Sequence, residues 1–167
     1  MVKRILILGS SRSSGNTSRI VESLKNYLEF DVIDLNDYTF SYYDYLHENK
    51  DDDFIPLIKR IIKYDQILFA TPVYWYTMSG ILKVFFDRLS DCLSIEKALG
   101  RQLKNKSMSV LCCGSTEEKV EGFFLPFQLS AKYLGMHYLA EIHTWIENNT
   151  INKDVDKQIK KFAAEHL

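Results

Sequence analysis

The 167-residue chain has only three cysteines, three prolines and seven glycines. The cysteines, Cys92, Cys112 and Cys113, are odd in number and form neither a Cys-x-x-Cys nor a Cys/His pattern. A disulfide framework and a metal or iron–sulfur ligand set are therefore not expected. A reducing, cytoplasmic setting is the expectation. So little proline and glycine argues against disordered, collagen-like and low-complexity classes. A dominant charge is missing too, since 21 Lys and Arg face 22 Asp and Glu for a formal net charge of −1. That balance carries no footprint for nucleic acid. Nor is it the strongly acidic balance of a small carrier that docks by charge. Long apolar runs are likewise absent. Met1-Val2-Lys3-Arg4 begins like a signal peptide, but the apolar stretch behind it stops at Gly9. That is too short for a signal core or a bilayer span, so no membrane partner is expected.

What is present is an ordinary globular composition, 46% hydrophobic and 26% charged, with 13% aromatic residues. The length suits one domain over residues 1–167, able to bury about 70% of the surface its unfolded chain exposes. Three continuous apolar runs recur, Ile5–Leu8, Ile67–Ala70 and Val110–Cys113, each followed by turn-forming residues. Continuous runs suit strands buried on both faces, hence a parallel sheet. Phe30–Leu35 is a shorter candidate. Tyr138–Trp145 alternates, as an edge strand with one partly wet face does. Helical spacing is carried by Ile20, Leu24 and Leu28, by Ile55, Ile58 and Ile61, and by Ile81, Leu82, Phe85 and Leu89. A fourth helix is predicted within 117–134, and a fifth after Asn152 through Val155, Ile159 and Phe162. Alternating strands and helices predict an α/β, doubly wound, five-stranded parallel sheet in the order 2-1-3-4-5, with helices on both faces. Asn36–Asp53 and Ser94–Lys106 are predicted as long connections.

Three loops carry the chemistry. The first, Gly9 to Ser18, packs hydroxyls, an amide, glycines and Arg12 between a strand and a helix. Free N–H groups and the dipole at a helix start favour an anion, and hydroxyls add neutral donors. It is neither a Walker A loop nor Gly-x-Gly-x-x-Gly. A turn capped by Asn16 or Thr17, with no ligand, is the competing reading. The second loop, Thr71 to Gly80, holds Tyr74, Trp75 and Tyr76. In this strand order it faces the first loop across the switch point. Three adjacent aromatics cannot all enter the core, so some offer ring faces to a ligand or partner, or form a lid over the sheet end. The third, Cys112 to Glu117, brings Gly114 and Ser115, which permit close backbone approach. Many strand–helix turns look like it. One loop suits a phosphate, one an aromatic plane and one backbone contact, and flavin mononucleotide (FMN) has those parts.

Gly9-Ser10-Ser11-Arg12 through Asn16-Thr17, then Thr71-Pro72-Val73-Tyr74-Trp75 and Ser79-Gly80 to Asp87-Arg88, resemble the NADPH-dependent FMN reductase group of flavodoxin-like NAD(P)H oxidoreductases. The similarity covers about residues 3–116. It implies a flavodoxin-like fold in which Ser10, Arg12, Ser14, Asn16, Thr17 and Ser18 hold the FMN phosphate. It further implies that Pro72, Val73, Tyr74, Trp75 and Tyr76 border the ring, with Gly114 and Ser115 along its other edge. The resemblance implies a homodimer, with which the apolar face of the Ile81–Leu89 helix is compatible. Where many relatives carry a cysteine cluster, this chain has Phe40 to Tyr45, so an iron–sulfur cofactor is not expected.

The expected reaction takes a hydride from NADPH or NADH through bound FMN to a small acceptor such as a quinone, nitro or azo compound or a flavin. The cofactor supplies that chemistry, so no catalytic acid or base is required. The alternatives are an FMN-binding electron carrier without nicotinamide turnover and an interaction module using the Tyr/Asp-rich loop. His47 and His143 show no metal spacing and are expected to be structural. Asp87 and Arg88 are expected to form a charge pair, and Cys113 to pack in the core rather than act as a redox thiol.

Overall fold

The computed structural model describes residues 2–166, and their strands and helices alternate along the chain. The strands are β1 (Arg4–Leu8), β2 (Asp31–Asp34), β3 (Gln66–Pro72), β4 (Ser107–Gly114) and β5 (His137–Trp145). They form one sheet in the order β2-β1-β3-β4-β5, with every neighbouring pair parallel. This is the flavodoxin-like order that the alternating pattern predicted. Leu8 pairs with Ala70, Ala70 with Leu111, and Leu111 with Ile142. The carboxyl ends of β1, β3 and β4 therefore open side by side.

The continuous runs are explained by two cores. Successive side chains alternate across the sheet. Ile5, Ile7, Ile67, Phe69 and Val110 enter one core with α2 (Phe54–Ile61), α3 (Gly80–Arg88) and α6 (Leu125–Leu134). Leu6, Leu8, Leu68, Ala70 and Leu111 enter the other with α1 (Asn16–Leu24) and α7 (Lys153–His166). Burying such a side chain stabilises by about 1.5–3 kcal/mol, so neither face tolerates a polar residue at these positions. Much of the phenylalanine content sits in the first core. The Phe69 ring centroid lies 5.9 Å from Phe85, 5.0 Å from Phe86 and 6.4 Å from Phe127.

Several sequence expectations need correction. Helix α1 ends at Leu24, and Leu28 packs on the core from outside it. Its N-cap is Gly15, with no side-chain capping bond, rather than Asn16 or Thr17. The helix expected within 117–134 starts only at Leu125. Gly122, at φ 73°, breaks the chain direction, and Pro126 suits the first helical turn that follows. Ser94–Lys106 is not a plain loop. It begins at the end of α4 (Asp91–Ser94) and contains α5 (Lys97–Gly100) and a 3-10 turn at Arg101–Leu103. On β5, Leu139 and Glu141 are exposed as the alternation predicted, but Ile142 to Trp145, His143 among them, are all buried.

Asp87 and Arg88 do not pair with each other. Asp87 accepts from Lys83 at 2.5 Å. Arg88 is fully buried and binds Asp91 at 2.8 Å and Asp52 at 2.5 Å. It also donates to the Ser41 carbonyl at 3.0 Å and stacks over Phe54 at 4.8 Å. His47 meets the other oxygen of Asp91 at 3.0 Å. One guanidinium thus holds the Tyr/Asp-rich connection onto α3 and α4. Burial pushes the Asp52 carboxyl up, but hydrogen bonds from Arg88 and from the amides of Phe54 and Ser41 outweigh it and hold the group below its ordinary range.

Candidate functional site

At the carboxyl ends of β1, β3 and β4 lies a cleft of about 160 Å³. It is lined by Ser10, Arg12, Gly15, Asn16 and Thr17 from the first loop, Pro72, Val73 and Tyr74 from the second, and Cys113, Gly114 and Ser115 from the third. A second compartment of about 830 Å³ shares Val73, Gly114 and Ser115 with it. Trp75 and Tyr76 line this outer compartment, together with Thr116, Glu118, Lys119 and Glu121. Its size falls in the usual range for small-molecule sites, about 300–1,000 Å³. A concavity of about 1060 Å³ lies elsewhere, lined by Val2, Lys3, Arg4, Phe30 and Tyr64 among others at the amino end of the sheet. Volume does not choose between them. The strand-order reversal does, because it parts the loops on either side of the first cleft.

Eleven of the thirteen residues singled out from sequence line one or other of the two joined compartments. Ser14 and Ser18 do not. They line a separate depression with Ser13, Arg19, Glu22 and Asn26. The helical period explains Ser18, which shares a row with Glu22 turned away from Asn16, while Ser14 lies in the turn before α1.

The donor chemistry suits a phosphate. No side chain caps α1, and its first turn holds no acidic residue. The first N–H groups of a helix have no partner within it, so they are available to an anion beside Arg12. The loop itself is braced. Ser79 Oγ donates to the Gly9 carbonyl at 2.6 Å, and the Ser79 amide donates to Thr71 Oγ1 at 3.1 Å. Asn36 Nδ2 donates to the Ser10 carbonyl at 2.7 Å. Asp34 orients that amide by accepting from Asn36 Nδ2 at 2.8 Å.

The aromatic loop has an unusual backbone. Tyr74 and Thr77 exchange main-chain hydrogen bonds of 2.9 and 3.1 Å, closing a two-residue turn. Its central residues, Trp75 and Tyr76, have φ of 47° and 65°. That is the primed hairpin turn normally built from Asn and Gly. The chain builds the same turn from the usual residues at Asn148-Asn149, with φ of 48° and 58°. Two bulky residues in this region cost about 1–2 kcal/mol each. The result is that Trp75 and Tyr76 stand 91% and 73% exposed. Tyr74 leans back, its hydroxyl 3.1 Å from Ser11 Oγ, and so joins the second loop to the first. The Val73 amide donates to the Cys113 carbonyl at 3.0 Å, joining the second to the third.

Sequence reasoning missed Asn36, Ser79 and His143. Asn36 had a local signal, an Asp two residues before it, as in a side-chain turn. Ser79 had the signal of a helix cap before an apolar run, and it does accept from the Leu82 amide at 3.3 Å. His143, buried on β5 against the third loop, had none. Burial pushes the Cys113 thiol up to about 11, so it lines the cleft as a neutral group.

Three comparisons bear on this site. The profile of the family described as NADPH-dependent FMN reductase matches residues 2–149. YwqN of Bacillus subtilis strain 168, described as an NAD(P)H-dependent FMN-containing oxidoreductase, is 30% identical over 147 residues, covering 82% of this chain and 81% of its own. Among solved structures, the Trp repressor binding protein of Bacillus subtilis superposes with a TM-score of 0.74 at 26% identity, over 99% of this chain and 97% of that one. General stress protein 14 of Treponema denticola, solved in complex with FMN, superposes with a TM-score of 0.65 at 17% identity, over 97% and 94%. At that identity the last shows shared fold alone.

Proposed function

The chain belongs to the NADPH-dependent FMN reductase family, and from that premise we propose that its cleft holds FMN and its outer compartment admits a small planar acceptor. The protein is an NAD(P)H-dependent flavin oxidoreductase, with FMN as cofactor and NADPH or NADH as co-substrate. When bound, FMN supplies the hydride acceptance and onward electron transfer. The protein's part is position. The α1 amides, Arg12, Asn16 and Thr17 would bind the phosphate, with Ser10 shaping the loop beneath it. Pro72, Val73 and Tyr74 would border one edge of the ring, and Gly114 and Ser115 the other. Trp75 and Tyr76 would orient nicotinamide and then the acceptor, in alternation at one face. Quinones, nitro or azo compounds and free flavins all present the planar π-system that such rings stack on.

The observation that carries this reading is the convergence of three loops on one cleft that opens onto exposed aromatic rings. Ser14 and Ser18 are left to a supporting place in the loop and the first turn of α1. A homodimer and a cytoplasmic location complete the proposal, supported by the family resemblance. No described helix is long and apolar enough to cross a membrane.

The test is direct. Purified protein should be yellow, release flavin on denaturation, and bleach anaerobically with NADPH or NADH in catalytic time. A panel of quinone, nitro, azo and flavin acceptors with both nucleotides then ranks the substrates. Protein that cannot be reconstituted with FMN would sink the reading of the cleft. Light scattering decides the dimer.

A further inference from the structure

We propose that His143 is the positioning residue of the third loop, and that it holds Gly114 to Lys119 in the shape that borders both compartments. The inference rests on the reading of the cleft as the FMN site. Cys113 and Gly114 end β4, and the chain then runs irregularly from Ser115 to Lys119. Among the described residues, this segment makes no main-chain hydrogen bond. Its one hydrogen-bonded tether among the described residues is the His143 ring, whose Nε2 lies 2.9 Å from the Thr116 carbonyl oxygen.

The ring is itself fixed on every side. It is only 5% exposed. Nδ1 lies 3.4 Å from the thiol of Cys112, its pairing partner across β4 and β5. A carbonyl oxygen only accepts, so Nε2 carries a ring proton and donates it to Thr116, and Nδ1 is left facing the Cys112 thiol. Trp145 stacks on the imidazole at 6.2 Å and 24°. The Gly114 backbone lies so close that an added Cβ would stand 2.8 Å from His143 Cε1. A glycine at 114 and a histidine at 143 are thus one device. The first gives the ring room beneath the loop, and the second gives the loop its anchor.

Asn and Gln at position 143 separate this role from packing. A Gln side chain can place an amide donor where Nε2 stands, whereas Asn is one methylene too short. Loss of a tether hydrogen bond from a segment that must otherwise be ordered on binding lowers affinity about tenfold. His143→Asn should raise the FMN dissociation constant of the apoprotein about tenfold, measured by quenching of flavin fluorescence. It should also lower the NMR order parameters of the backbone at residues 115–119 without changing those of β1 and β3. His143→Gln should recover both, the affinity to within about threefold of wild type. His143→Leu keeps the side-chain bulk and carries the same expectation as Asn, should that variant not fold. The role is refuted if Asn and Gln variants bind FMN alike, or if the order parameters of 115–119 are unchanged. Asn16→Asp is the control for the cleft. If it weakens FMN binding while the His143 variants do not, the cleft stands and the tether falls. If Asn16→Asp leaves binding unchanged, the cleft reading fails and the tether proposal falls with it.

Discussion

The turn at Trp75-Tyr76 makes a prediction that runs against the usual effect of deleting aromatic residues. Replacing the pair with Asn-Gly gives the primed turn its favoured residues. Relief of two left-handed bulky residues is worth about 1–2 kcal/mol each. Gly returns about 0.5–1 kcal/mol of that through the freedom of the unfolded chain. Little packing is lost, because the two side chains are 91% and 73% exposed. The double variant W75N/Y76G should therefore be more stable by about 1–3 kcal/mol. For a domain near this size that raises Tm by about 2–12 °C. The same change removes two rings from the outer compartment, at about 0.5–1.5 kcal/mol of stacking each, so KM for an aromatic acceptor should rise about tenfold. FMN affinity should change far less, since neither ring lines the inner cleft. Scanning calorimetry of the apoprotein and steady-state kinetics read the two effects separately. An unchanged or lowered Tm would refute the strain argument, and an unchanged KM would refute the role of the rings. Strain kept at a site and offset by the rest of the fold is a common mark of function.

Three further outcomes are expected. Asn16→Asp places a carboxylate at the α1 N-terminus, where the dipole favours it, so the apoprotein should keep or slightly gain stability. FMN affinity should nonetheless fall at least about tenfold by titration, and less at high salt, because two anions then share the site. Arg88→Ala leaves Asp91 and Asp52 without their cation and should cost about 3–5 kcal/mol in urea unfolding. Asp52 is held below its ordinary 3.8, so its contribution is complete above that value and lost as pH falls through the lower folded one. Tyrosine fluorescence should report release of residues 41–52 in acid, and an unchanged signal would contradict the pinning role of Arg88. Cys113→Ala should leave turnover within about twofold, and the wild-type thiol should react slowly with alkylating reagents at pH 8, because it is neutral far above that pH.

The arrangement of β1, β3 and β4 was legible because a strand buried on both faces must be apolar at every position, and that is a purely local pattern. The loops that follow those strands were legible for the same reason, since a parallel sheet brings their carboxyl ends together. The boundaries of α1 and α6 were less so. Gly15 caps through its backbone rather than a side chain, and Gly122 delays a helix whose apolar spacing begins earlier. The Tyr/Asp-rich connection read only as a long connection, because nothing near it in sequence names its anchor. Arg88 lies 36 residues beyond Asp52.

The sequence by itself therefore determined the sheet, its order and the three loops at its switch point. Each follows from hydrophobic period, turn residues and the handedness of the crossovers, which short segments carry. Only the tertiary structure decided what those loops present. It turned Ser18 away from the cleft through the phase of α1 and left Ser14 on the turn before that helix. It set Trp75 and Tyr76 outward on a backbone that their residue types disfavour. It also brought His143, 27 residues away, under the Thr116 carbonyl. Such contacts depend on register and packing between distant segments, and no local preference of the chain encodes them.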